Sequence, residues 1–259
     1  MKRFLIALAV LLLPFAAGAQ EFAGRASVGV DYKVFKGFHI GAEQEFRTND
    51  SFSGVGSLRT SVSVSYKPVK YVKFGLGYTF IEPWKVDKEL SDGTLYTGFW
   101  APKHRLSADV AGNIRLGYVQ LSLKEKVQMT HNGDSNMNTY QAPRNLVQLK
   151  SRFTVKYKGW RAVEPSAAFE LRTCLNGAWG SVSDNKFVLE GYNHIYNDRY
   201  RVNLEADIKL GKHHTLTPYV LLDYITEYEI DTTKKGKFKS AAYTDVFRTS
   251  LGIAYVFDF

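Results

Sequence analysis

The chain has one cysteine among its 259 residues, Cys174, so no internal disulfide is open to it. Beyond the first twenty residues it has no run of about twenty apolar residues, and without one there is no membrane-spanning helix. It has no linker or low-complexity stretch that would part it into separate domains. The six histidines are scattered, and the adjacent pair His213-His214 would face opposite ways on a strand. That is poor geometry for a metal, and neither a metal nor another cofactor is expected. Acid is the minority charge: 25 Asp and Glu stand against 34 Lys and Arg, for a formal charge of +9.

What the chain does have begins at its first residues. Met1-Lys2-Arg3 is positive, Phe4 to Phe15 is apolar but for Pro14, and Ala16-Ala17-Gly18-Ala19-Gln20 is a run of small residues. This pattern reads as a secretory signal peptide over residues 1–20, cut after Ala19 or Gln20. The absence of cysteine near the cut argues against a lipoprotein anchor. Losing Lys2 and Arg3 takes the charge from +9 to +7 on residues 21–259, which read as one domain. For an exported chain such a surplus points to acidic lipid head groups, lipopolysaccharide or small anionic solutes as partners, and not to nucleic acid.

The 16 Tyr and 17 Phe of an exported chain without a spanning helix need a location. The C-terminal stretch supplies it. From Phe247 onward every second residue but Thr249 is apolar or aromatic, ending on Tyr255, Phe257 and Phe259, while the other parity holds Arg248, Ser250, Gly252, Ala254, Val256 and Asp258, mostly small or polar. Side chains alternate faces along a strand, so one face is greasy and the other small or charged. A greasy face that ends in aromatics suits a strand that faces lipid and stops at the membrane interface.

The same alternation recurs in about eleven segments, among them Phe22–Val34, Ser57–Lys67, Arg144–Lys158 and Arg199–Leu210. Short turns alternate with long loops between them. The spacing predicts an all-β fold, an antiparallel up-and-down transmembrane β-barrel of about 10–12 strands. Bacterial barrels of one chain normally have an even number of strands, which favours ten or twelve. The longest loop is expected at residues 176–198, with room in it for a short extra hairpin, and one turn near Gly112-Asn113.

Several short segments add a resemblance. Glu43-Gln44-Glu45-Phe46-Arg47, Leu149-Lys150-Ser151-Arg152-Phe153, Phe169-Glu170-Leu171-Arg172 and Asp198-Arg199-Tyr200-Arg201-Val202 occur in that order. With the terminal Phe259 they resemble the bacteroidete barrels filed as domain of unknown function 2490. That resemblance implies a Gram-negative outer-membrane barrel, carries no settled activity, and transfers no functional residue. The last strand also resembles the C-terminal signal by which barrel-assembly machinery recognises its clients, with Tyr255, Phe257 and Phe259 as the aromatics read.

The inward parity collects the charge. Glu43, Glu45, Arg47, Arg59, Lys150, Arg152, Glu170, Arg172, Arg201, Glu205, Asp207 and Arg248 all fall on it, with both signs interleaved. In a narrow barrel such residues are expected to pair across the lumen and fix it, or to line a porin-like conduit that favours anions. A lipid-modifying enzyme is the alternative. Its nearest candidate pair, His104 and Ser107, has opposite parity, which argues against contact. Cys174 is expected to point inward as a sheltered, inert thiol.

Overall fold

The computed structural model describes residues 21–85, 99–132, 143–183, 186–232 and 238–259. The expected signal peptide at residues 1–20 and the tips of several long loops lie outside them. Among the described residues, eleven strands form the wall: β1 (Glu21–Phe35), β2 (Phe38–Thr48), β3 (Val55–Val69), β4 (Val72–Lys85), β6 (Lys103–Leu116), β7 (Val119–Asn132), β8 (Asn145–Tyr157), β9 (Val163–Ser183), β10 (Lys186–Lys209), β11 (His214–Thr232) and β12 (Phe238–Asp258). The two-residue β5 (Phe99–Trp100) pairs only with the end of β4. Each wall strand pairs with its neighbours, β1 pairs with β12, and the sheet closes on itself as a barrel.

The count of eleven lies within the expected range of about 10–12, and only the preference for an even number is corrected. Ten of the neighbouring pairs are antiparallel, but β1 and β12 run side by side in parallel, from Glu21↔Arg248 to Asp31↔Asp258. An odd number of strands forces this, because the first and last strands must then point the same way. The first alternating segment, Phe22–Val34, is thus an ordinary wall strand at an unusual seam.

Alternation sets the two faces. Val28, Val30 and Tyr32 of β1 stand 61%, 43% and 55% exposed on the outside, as do Leu76 (60%) and Leu106 (54%) elsewhere on the wall. Large apolar side chains so exposed on consecutive strands form a continuous greasy belt, which a soluble barrel would have to hide. Aromatic rings gather at both rims. At the end with the short turns, Phe35 stacks on Phe38 with centroids 4.9 Å apart, and Tyr157 meets Trp160 edge-on at 5.5 Å. At the end with the long loops, Trp84 meets Trp100 at 4.9 Å and Trp179 stacks on His194 at 5.4 Å.

Two further expectations are corrected. Gly112 and Asn113 are not a turn; they sit in the ladder opposite Leu123 and Ser122. The turn comes later, where Gly117 (φ 59°) adopts the left-handed backbone that glycine takes without strain. The stretch 176–198 does hold a hairpin, but as the ends of two wall strands and not as a short extra one in a long loop. β9 and β10 continue through it as a paired hairpin, with register shifts at Leu189/Gly191, Gly191/His194, His194/Tyr196 and Asn197/Arg199. Each shift inserts an unpaired residue and breaks the period-two pattern, which hid the strands from the alternation. The wall is therefore taller on this side: β9 and β10 have 21 and 24 residues, against 15 and 11 for β1 and β2.

Candidate functional site

The inward faces meet in a belt of ion pairs. At its centre is Asp223 of β11, whose side chain is wholly buried. Arg201, its register partner on β10, donates to it twice, from Nε at 2.6 Å and from Nη2 at 3.0 Å. Arg25, reaching over from β1, places its Nη2 3.7 Å from the same carboxylate. Arg201 also lies 3.6 Å from Glu170, which Lys150 approaches at 3.9 Å. Two parallel N–H···O bonds to a carboxylate form the geometry that the planar guanidinium suits best.

The belt extends from there towards both ends. Arg172 donates from Nε to Asp198 at 2.6 Å, and Asp198 also accepts from Gln148 at 2.7 Å. Arg152 stands 3.6 Å from Glu205, which accepts from Ser166 at 2.9 Å and Asn203 at 2.5 Å. Lys156 bonds Asp207 at 2.6 Å, with Thr217 on the second oxygen at 2.8 Å. Arg47 donates to Glu45 at 2.6 Å, and Arg248 is tied to Glu21 across the parallel seam.

All twelve predicted charges thus face inward, and ten of them make ion pairs. The expectation that they pair across the lumen is corrected, because most partners sit on the same, adjacent or next-but-one strand. A carboxylate and a guanidinium on facing positions of neighbouring strands meet without either side chain having to span the bore. Arg59 and Glu43 are the exceptions: neither has an ion-pair partner among the described residues. Glu43 is exposed in the lumen beside a small space of about 190 Å³ lined by Gly29, Gly41, Ser61 and Ser63. Arg59 lies in a cluster with Arg47, Glu45, Arg105 and Arg25, close enough for their charges to act on it.

Alternation also carried members that were not singled out. Arg25 shares the parity of Ser27 and Gly29, opposite to Ala26, Val28 and Val30, so the signal was present in β1. Asp198 was not legible in the same way. It is the extra residue of the bulge between Asn197 and Arg199, so Asp198 and Arg199 both serve the interior.

The belt leaves little open bore at its own level. Asp223, Ser250, Arg25, Glu170 and Asn203 are all buried. Tyr219 fills space beside them, its ring lying over Gly252 of β12, where a Cβ would come within 2.1 Å of it. Besides the small space at Glu43, a cup of about 550 Å³ opens at the loop end, with Arg25, Arg47, Arg59 and Arg248 in its lining.

The other singled-out residues lie elsewhere. His104 faces outward and shares a 2.7 Å hydrogen bond with the Tyr78 hydroxyl, while Ser107 points inward and donates to the Gly77 carbonyl. They do not meet, as their parity required. His213 donates from Nδ1 to the Asp258 carbonyl, and His214 bonds the Tyr255 hydroxyl, both at 2.6 Å. Cys174 is buried on the inner face opposite Gln148. Of the terminal aromatics, Phe257 and Phe259 meet edge-on at 4.4 Å, and the Phe259 amide closes the seam by donating to the Asp31 carbonyl at 2.8 Å.

Residues 26–255 match the model of a family described as "Protein of unknown function (DUF2490)". No curated protein matches. Among solved structures the chain is similar to OmpT (in-vitro folded), an outer membrane protein of Vibrio cholerae. The likeness has a TM-score of 0.40 and 12% identity, over 84% of this chain and 59% of that one. The outer-membrane expressed OmpT of Vibrio cholerae is similar with a TM-score of 0.38 and 12% identity, over 81% and 61%. The chain spans about three fifths of the length of these two structures.

Proposed function

We propose that this chain, which belongs to the family described as protein of unknown function (DUF2490), is a non-enzymatic outer-membrane barrel whose lumen is held shut by its ion-pair belt. The observation that carries the reading is the buried carboxylate of Asp223 with two arginines on it, in the middle of the bore. Around it the belt is crowded with paired charges, which serve to fix the wall. The greasy outer belt and aromatic rims supply the membrane contact, with lipid and lipopolysaccharide as partners. Short turns then face the periplasm and long loops the outside.

One observation favours a second reading, a narrow passage selective for anions. Among the described residues Arg47, Arg59 and Arg199 each keep a buried Nε without a hydrogen-bond partner, three cationic groups against one carboxylate oxygen, Glu170 Oε1, left in the same state. Rings of such charge select solutes by sign. Planar bilayers separate the two readings. The closed barrel gives no conductance steps in either polarity; steps with anion selectivity establish the passage and overturn the closed reading. Incubating the protein with phospholipid and lipopolysaccharide is expected to leave both unchanged by mass spectrometry, and a new lipid product would overturn the non-enzymatic reading.

Tyr255, Phe257 and Phe259 serve in this reading as the signal for barrel-assembly machinery. Deleting Phe259 removes one aromatic from the rim and the amide that bonds Asp31. The expected result is a severalfold fall in folded, heat-modifiable protein in the outer-membrane fraction. An unchanged folded fraction would remove the assembly role of that residue.

A further inference from the structure

The cup at the loop end is more than the mouth of the belt. Its lining holds four arginines and a single carboxylate, Glu21. Three of the arginines are already engaged: Arg25 with Asp223 and the Ser250 hydroxyl, Arg47 with Glu45, and Arg248 with Glu21. Arg59 is in no ion pair among the described residues: Glu45, opposite it on β2, acts on it by its charge but spends its hydrogen bond on Arg47. Arg47 and Arg59 each hold a buried Nε without a hydrogen-bond partner among the described residues. The two residues lie on the adjacent strands β2 and β3, one step apart in register, since Glu45 faces Arg59 and Arg47 faces Ser57.

Leaving a buried N–H of a charged group unbonded is costly, and native proteins resolve it with a protein partner, an ordered water or a ligand. An oxyanion is the partner that fits. It presents several acceptors in one plane or tetrahedron, and guanidinium forks take such groups two bonds at a time. The rest of the cup is not charged. Thr48, Asn49 and Ser57 offer hydroxyl and amide groups, and the indole of Trp84 gives one wall an apolar face. An apolar face beside hydroxyl-seeking groups matches a sugar ring, which has C–H faces and a hydroxyl edge. A space of about 550 Å³ lies within the range of small-molecule sites, roughly 300–1,000 Å³.

We infer that the loop-end cup binds an anionic saccharide, with the oxyanion held between Arg47 and Arg59 and the sugar ring against Trp84. The inference needs only the folded barrel and is independent of whether the lumen conducts. The same chemistry could arrive on a free sugar or on the chain of a surface polysaccharide.

Isothermal titration of the detergent-folded protein, in buffer free of sulfate and phosphate, tests it with four probes. These are glucose 6-sulfate, dextran sulfate, inorganic sulfate and glucose. Glucose 6-sulfate is expected to bind saturably and at least tenfold more tightly than inorganic sulfate, and glucose to give no heat. Saturable binding of glucose 6-sulfate points to a free sugar. Binding of dextran sulfate alone, abolished by Arg59→Gln, supports the same site with a polymer as its source. Arg59→Gln is expected to weaken glucose 6-sulfate at least tenfold, with folding checked by heat-modifiable mobility. If that variant does not fold, Trp84→Phe carries the test: the preference for the sugar sulfate over inorganic sulfate should collapse towards one. No saturable binding of either sulfated probe overturns the inference, as does equal affinity for glucose 6-sulfate and inorganic sulfate. Sulfated-sugar binding untouched by both variants overturns it too.

Discussion

Replacing Asp223 with alanine is expected to lower the unfolding free energy of the barrel by roughly 3–5 kcal/mol, the usual cost of removing one partner from a buried ion pair. The carboxylate is wholly buried and two guanidinium groups depend on it, Arg201 through two hydrogen bonds and Arg25 at 3.7 Å. Without it both cations face each other in a space with little water. The loss is an uncompensated charge and not the intrinsic strength of the pair. Adding Arg201→Met to the variant should therefore return part of the stability. Urea titration of protein folded in lipid vesicles, followed by tryptophan fluorescence and heat-modifiable mobility, checks both. A loss below about 1 kcal/mol for Asp223→Ala would place this pair in the range of solvated surface bridges and mean that water reaches the arginines.

Gly252→Val is expected to cost about 1–3 kcal/mol, the range for overpacking a filled interior. Gly252 faces Tyr219 across the β11–β12 ladder, and any Cβ there would meet the phenol ring at 2.1 Å. The ring must leave its place in the lumen, and the groups it covers lose their packing. Gly112→Ala is the control, since nothing lies within 4 Å of a Cβ at that position. It should change stability by no more than about 0.5 kcal/mol. Combining Gly252→Val with Tyr219→Ala tests the cause. If the clash is responsible, the double variant loses less than the sum of the two single ones.

Much of this architecture was legible from parity alone, because a strand of period two must show one face to lipid and one to the lumen. Phe153 and Val155 against Arg152 and Lys156 read the same in the sequence as in the barrel. The inward position of all twelve charges followed from that rule. Their partners did not. Parity says which face a residue takes, whereas an ion pair depends on the register between strands far apart in sequence. Arg25 and Asp223 are separated by nearly the whole chain. The bulges of β9 and β10 were lost for a different reason. Each inserts a residue that reverses the parity after it, so Trp179, His194 and Asp198 read as irregular loop while the backbone stays paired. The cup could not be read at all. It is made by Arg25, Arg47, Arg59 and Arg248 from four strands, together with Trp84 at the end of a fifth.

The seam between β1 and β12 has a consequence for how the molecule is put together. Every antiparallel neighbour in the wall follows from the strand before it, so those pairs can form in sequence, hairpin upon hairpin. The parallel pair has no turn to start from. Glu21 must find Arg248 over 227 residues, after the rest of the sheet has curved enough to bring them together. Closing so long a loop is slow, and parallel ladders are slightly weaker per residue than antiparallel ones. The cylinder is thus a ribbon whose two margins are joined last, by a ladder slightly weaker per residue than its neighbours. Any sideways opening into the bilayer would begin along the line from Glu21 to Asp31.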